Sequence, residues 1–251
     1  MDREQIKDLL VRAECTRERG DLPRAWRLAN KALENARTSS EWELLALAYA
    51  STTLTRKHQY LESGWDGHLD FMRNYAELGF VLCHERHLPA VYLSVLSARL
   101  AEFQLLVNRP IMAQASINQA IAYLDSLEGV NLKLHVEFLS ILARVYLAKR
   151  EFRLVVQTCE RGLAALRAAR LSGIVSSWRY RVIKLDLLTS EAKAYGWLGD
   201  VLLYLMCGVQ VVWFSIYLAA VDRKPLRLKH FLREIRTALH IPMRAVSSDD
   251  A

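Results

Sequence analysis

Gly20-Asp21-Leu22-Pro23-Arg24-Ala25, running on to Ala32-Leu33, is the stretch that decides how this chain is read. Gly20 and Asp21 break a helical run, and Pro23 stands where the first turn of a new helix tolerates a missing N–H. Upstream, Leu9, Leu10, Ala13 and Thr16 recur at intervals of three and four. Downstream, Ala25, Leu28, Ala29, Ala32 and Leu33 do the same. That period belongs to amphipathic helices and not to strands. The first 37 residues therefore read as two antiparallel helices joined by a tight turn.

Working outward, the same period predicts helices near 3–18, 22–37, 40–56, 59–80, 89–107, 110–127, 131–149, 152–170, 177–197, 200–221 and 226–240. Pro23, Pro89 and Pro110 fall just inside predicted starts, Pro225 precedes the last helix and Pro242 follows it. None interrupts a helical run, where it would cost about 3 kcal/mol. Turns after the first helix of each pair fall near Gly20, His58, Asn108, Arg150 and Gly199, a spacing of roughly 38 to 50 residues that suits a solenoid. A lone helical pair cannot bury its apolar face, so each pair must stack on the next. The expected fold class is all-α: an α-solenoid of about five antiparallel hairpins and a C-terminal helix.

Composition agrees. The 251 residues are 52% hydrophobic and 24% charged, with only 10 Gly and 5 Pro, which excludes a disordered chain and disfavours a turn-rich β protein. Lys and Arg number 34 against 27 Asp and Glu, a net charge of +7 that favours acidic partners without marking a nucleic-acid binder. Cys15, Cys83, Cys159 and Cys207 are far apart, form no CxxC and sit in apolar helical patterns, as reduced thiols do. Met1-Asp2-Arg3-Glu4-Gln5 lacks the apolar core of a secretion signal. A cytoplasmic location is expected.

The Gly20–Leu33 stretch resembles the second half of a tetratricopeptide repeat. That family sets small residues where its helices cross and a glycine at the turn. Ala13, Gly20, Ala25 and Ala32 match those positions in the first hairpin, and Ala101, Asn108, Ala113 and Ala120 in the third. Leu139, Leu142, Ala143 and Tyr146 fit the fourth, followed by a looser Val155 and Gly162. Ala192, Tyr195 and Gly199 fit the fifth, where Tyr204 is bulkier than the usual Ala. The second hairpin is degenerate, with Ser51 and Ser63 as its candidate crossing residues. The resemblance covers about residues 1–220 and is closer to the extended repeats of bacterial regulators of the MalT and Rap type than to the 34-residue form. It implies a groove lined by the first helix of each pair. Position by position, the partner-binding candidates are Glu14, Arg17, Glu102, Arg144, Lys193 and Trp197. Mixed charge with an aromatic suits an extended peptide or a partner helix. The family's carboxylate clamp is not matched, because Leu10 and Glu14 occupy its positions.

No phosphate-binding, dinucleotide-binding, nucleophile-elbow or zincin motif occurs in the sequence. His84 and His87, beside Cys83 and Glu85, have helical ligand spacing. Two ligands do not make a site, and the run before Leu88-Pro89 reads as a polar turn. No catalytic, cofactor-binding or metal-binding residues are expected.

Val201 to Val221 holds 21 residues without a charge, interrupted chiefly by Gln210 and Ser215. As a helix it would be about 31 Å long, enough for a bilayer core. It is followed by a basic amphipathic run in which Leu228, Phe231, Leu232, Ile235 and Leu239 share a face apart from Arg227, Lys229, Arg233 and Arg236. That run can cap a solenoid, lie on anionic lipid or contact phosphates. The expected organisation is a repeat array over 1–199, an apolar plus a basic helix over 200–240, and a flexible tail over 241–251. The expected function is a scaffold or adaptor holding a peptide or helix of a partner protein, with homo-oligomerisation through 201–221. The alternatives are a protein anchored to a membrane through 201–221 and the sensor domain of a transcriptional regulator. Nucleic acid is not an expected partner.

Overall fold

A computed structural model describes residues 2–127, 131–173 and 177–222. Among the described residues there are ten helices and no strand: α1 (Arg3–Glu18), α2 (Leu22–Thr38), α3 (Trp42–Ser63), α4 (Gly67–Glu85), α5 (Ala90–Leu106), α6 (Pro110–Asp125), α7 (Leu132–Ala148), α8 (Phe152–Leu171), α9 (Ser177–Leu198) and α10 (Val201–Asp222). The fold is all-α and built of antiparallel hairpins that pack in chain order within each of two units, as solenoid repeats do. The expected helix 226–240 and tail 241–251 lie outside the described residues.

The chain forms two compact units, residues 1–130 and 131–251. Within the second unit α9 and α10 form one hairpin. In the first unit α1, α3 and α5 touch one another in turn, and α2, α4 and α6 pack against them as their hairpin partners. Its core joins Ile6, Leu9, Leu33, Leu45, Tyr49 and Leu96. In the second unit α7 and α9 touch, and α8 packs against both. Its core joins Val136, Val155, Cys159, Leu166, Ile183 and Leu187. Each such large side chain contributes about 1.5–3 kcal/mol by leaving water.

Small residues set the helix crossings. Ala13, Ala25, Ala32, Ala101, Ala113 and Ala120 are fully buried. In the second hairpin a close approach falls at Gly79 on α4, against Tyr49 and Leu96; of the expected crossing residues, Ser51 is half-buried and Ser63 exposed. Gly162 on α8 meets Leu187 and Leu139 in the same manner.

Six corners share one geometry. A residue with positive φ follows the helix, and the next N–H bonds back to a carbonyl five residues earlier: Asp21 to Thr16 (3.2 Å), Glu41 to Ala36 (3.1 Å), Leu88 to Cys83 (2.9 Å), Arg109 to Gln104 (2.7 Å), Glu151 to Tyr146 (2.9 Å) and Asp200 to Tyr195 (3.1 Å). This closes the orphan carbonyls of a helix end. The left-handed residues are Gly20, Ser40, His87, Asn108, Arg150 and Gly199. The turn expected near His58 is displaced: α3 runs on to Ser63 and is closed by Gly64 at φ 70°. Cys83, His84 and Glu85 lie in the last turn of α4, so of the polar run read as a turn Arg86 and His87 form the corner, with His87 in the left-handed slot.

Candidate functional site

The residues expected to line a groove divide between the units. Glu14 and Arg17 are half-buried on α1. Glu102 on α5 is buried and engaged internally: its carboxylate pairs with Lys57 of α3 through one oxygen and with Arg99 through the other. In the second unit Arg144 on α7 and Lys193 on α9 are half-buried. Trp197, at the end of α9, is 39% exposed; its ring stacks on Phe152 with centroids 5.7 Å apart and planes 4° from parallel. The guanidinium of Arg150 stands 5.9 Å from the Trp197 ring.

The most unusual group in the first unit is one that the sequence reading passed over. Arg56 lies in the last two turns of α3 and is only 8% exposed. Its guanidinium sits between two rings, 4.6 Å from Trp26 of α2 and 4.5 Å from Phe71 of α4. Its Nη1 donates to Gln59 Oε1 (3.0 Å) and reaches His68 Nδ1 (3.2 Å). Because guanidinium only donates, His68 accepts at Nδ1 and is neutral there. Burial, and then the charge of Arg56, push the His68 pKa down in accord. Trp65, 57% exposed, packs edge-on against His68 at 4.7 Å.

Among the described residues no carboxylate meets Arg56. Burial pushes its pKa down, and the only charge effect opposing that is from Tyr75. Two buried donors beside one another, Arg56 Nε and Trp26 Nε1, have no hydrogen-bond partner. A desolvated cation without an anion is costly; aromatic faces offset part of that cost through their quadrupoles. Lys57, next in sequence, has an anion in Glu102, so the contrast lies between adjacent residues. Signals for Arg56 exist in the sequence, since Thr52 to Ser63 continues a helix up to Gly64. Ending that helix at 56 hides them.

Other reactive groups are internal. Glu191 on α9 is buried, with its Oε2 4.0 Å from Cys207 Sγ. Burial, then Glu160, push its pKa up to about 7. Thiols Cys83 and Cys207 are pushed up to about 11 by burial, and Cys159 is raised further. Among the described residues no group of three or more His, Cys, Asp or Glu could hold a metal ion.

The second surface of note is on α10. Cys207, Val211 and Ser215 are buried, while Leu202, Leu205, Met206, Val209, Trp213 and Ile216 on the other side are exposed. An open groove of about 300 Å³ runs along it over Gly208. Among the described residues no helix is long and apolar enough to cross a membrane. No protein-family model matches this chain, and no curated protein matches it.

Proposed function

We infer that the chain is a binding protein of the tetratricopeptide kind, an interaction scaffold that holds a peptide or helix of a partner protein and catalyses no reaction. The observation that carries this reading is Arg56. A buried guanidinium walled by Trp26 and Phe71, with no carboxylate of its own among the described residues, suits an anion supplied from outside. The partner chemistry that fits is a carboxylate, from an Asp or Glu side chain or a peptide C-terminus, because guanidinium and carboxylate match in a bidentate pair. Aromatic and arginine anchors of this sort supply most of the affinity in interfaces where they occur. Exposed Trp65 and Phe71 provide apolar contact for the flanking residues of the peptide.

The test is selection from a displayed peptide library with the full chain, then titration of selected peptides. Acidic or free-C-terminal peptides should be enriched. Arg56→Gln should weaken their binding about tenfold or more, the loss of a charged hydrogen bond, with helical circular dichroism unchanged. Enrichment of neutral peptides, or equal binding by the variant, would remove the basis for the reading.

A further inference from the structure

Arg56 and His68 share one hydrogen bond, and the chemistry of the pair fixes which of them carries the charge. Arg56 Nη1 stands 3.2 Å from His68 Nδ1. A guanidinium has no lone pair to offer, so the contact exists only while His68 Nδ1 is bare and its proton sits on Nε2. Protonation at Nδ1 would set two cations side by side in a half-buried place, where repulsion is stronger than in water. The free site therefore keeps a second proton off the ring, and burial with the Arg56 charge pushes the His68 pKa down to match.

Arg56 is the charge that does this. The helices packed on α4 are α3 and α5. Beside Arg56, α3 brings Lys57, and α5 brings Arg99 and Glu102; Lys57 and Arg99 both pair with Glu102. His58 and Glu62 of α3, and Asp66 and Asp70 on the chain of His68 itself, are exposed. Gln59, which shares Nη1, is uncharged, and Tyr75 acts on Arg56. Among these groups Arg56 alone shifts His68.

A carboxylate from outside reverses the balance. On Arg56 it cancels the charge that holds His68 neutral, and it competes with Nδ1 for the guanidinium. A protonated His68 then donates where it accepted before. An opposite charge within about 4–6 Å favours the charged form of a titrating group. Ligand and proton strengthen one another by the same factor, as linkage requires.

We propose that His68 takes up a proton when a carboxylate binds at Arg56, so that the site holds its acidic partner more tightly as pH falls from 8 toward about 5.5. The inference rests on the reading of Arg56 as a carboxylate anchor. One proton moves from solvent to His68 Nδ1, and the ligand stays ionised. In the free chain neutral His68 occupies Arg56; in the complex it is a second cation for the same anion.

The test uses the full chain and sodium formate, a small carboxylate that stays ionised through this window. Binding is followed at the indole N–H resonance of Trp26, assigned with Trp26→Phe, against sodium chloride at equal ionic strength. Kd should fall about tenfold or more from pH 8 to about pH 5.5. His68→Gln, whose amide oxygen still accepts from Arg56, should give one Kd at both. The Hε1 resonance of His68, assigned through its contact with the Trp65 ring, should titrate at higher pH in saturating formate than in chloride. A Kd in the parent chain that ignores pH, or a dependence that persists in His68→Gln, would overturn the proposal and leave the anchor reading standing. Where His68→Gln disturbs folding, the Hε1 titration of the parent chain decides, and a midpoint unmoved by formate overturns the proposal. No formate binding at either pH, or equal binding by Arg56→Gln, would remove both.

Discussion

Gly79 of α4 and Leu96 of α5 approach so closely that a Cβ on Gly79 would stand 2.7 Å from Leu96 Cδ2, and 3.0 Å from Tyr49 Cβ. Leu96 and Tyr49 belong to the same core, so neither can give way freely. Gly79→Ala should therefore lose stability despite its better helix propensity. Overpacking costs about 1–3 kcal/mol against a gain of up to about 1 kcal/mol. Gly208 on α10 has nothing within 4 Å of the same atom, so Gly208→Ala should gain up to about 1 kcal/mol. Urea midpoints of the two variants should move in opposite directions.

Glu102 serves two buried cations at once. Glu102→Ala leaves Lys57 and Arg99 without that carboxylate, and breaking a buried ion pair from one side costs about 3–5 kcal/mol. Glu102→Gln, which keeps an acceptor oxygen, should cost less. Thermal melts followed at 222 nm check the order: wild type, then Gln, then Ala.

Glu191 gives the second unit a pH dependence. Its folded pKa is raised, to about 7 from the usual 4.5, so the unfolded chain ionises first. Below the unfolded value both states are protonated and nothing is lost. Between about 4.5 and 7 the unfolded state binds fewer protons, so stability falls as pH rises, and above that window it levels off. Glu191→Gln should flatten this slope and raise the urea midpoint at pH 8 relative to wild type. An unchanged slope would show that the carboxyl is solvated.

Thiol reactivity should follow burial. Cys15 is exposed, whereas Cys83, Cys159 and Cys207 are buried with raised pKa values. At pH 8 a disulfide reagent should titrate one thiol per native chain within minutes and four after denaturation. Fast reaction of a second thiol without denaturant would contradict the packing around α8 and α10.

The hairpins were legible because three-and-four spacing and proline placement act locally; nearly every helix lies within a few residues of where the pattern puts it. The second hairpin was harder. Its crossing glycine, Gly79, shares a buried face with Ala76 and Cys83, but exposed Leu78 and Val81 beside it blur that face and no turn marks it. The corners at Gly20, Asn108, Arg150 and Gly199 fall where the pattern puts a turn, each on a left-handed residue, whereas Ser40 and His87 hold that position with no glycine to mark it. As for the site, Glu102 has a charged face by position but an internal partner by packing. Arg56 looks like one more basic residue until α2 and α4 bring Trp26 and Phe71 to its two sides. Contacts between distant helices decide both, and periodicity carries no record of them.

The corner geometry has a consequence for growth of the chain. The 16-residue α1 and the 22-residue α9 end in the same bonded joint. Helix length is thus set independently of how the backbone reverses. Whole turns can be added to a rod, lengthening its flank, while the joint that aims the next rod is left untouched. In such a molecule reach and direction are separately adjustable, which lets duplication and drift resize individual segments without rebuilding the rest.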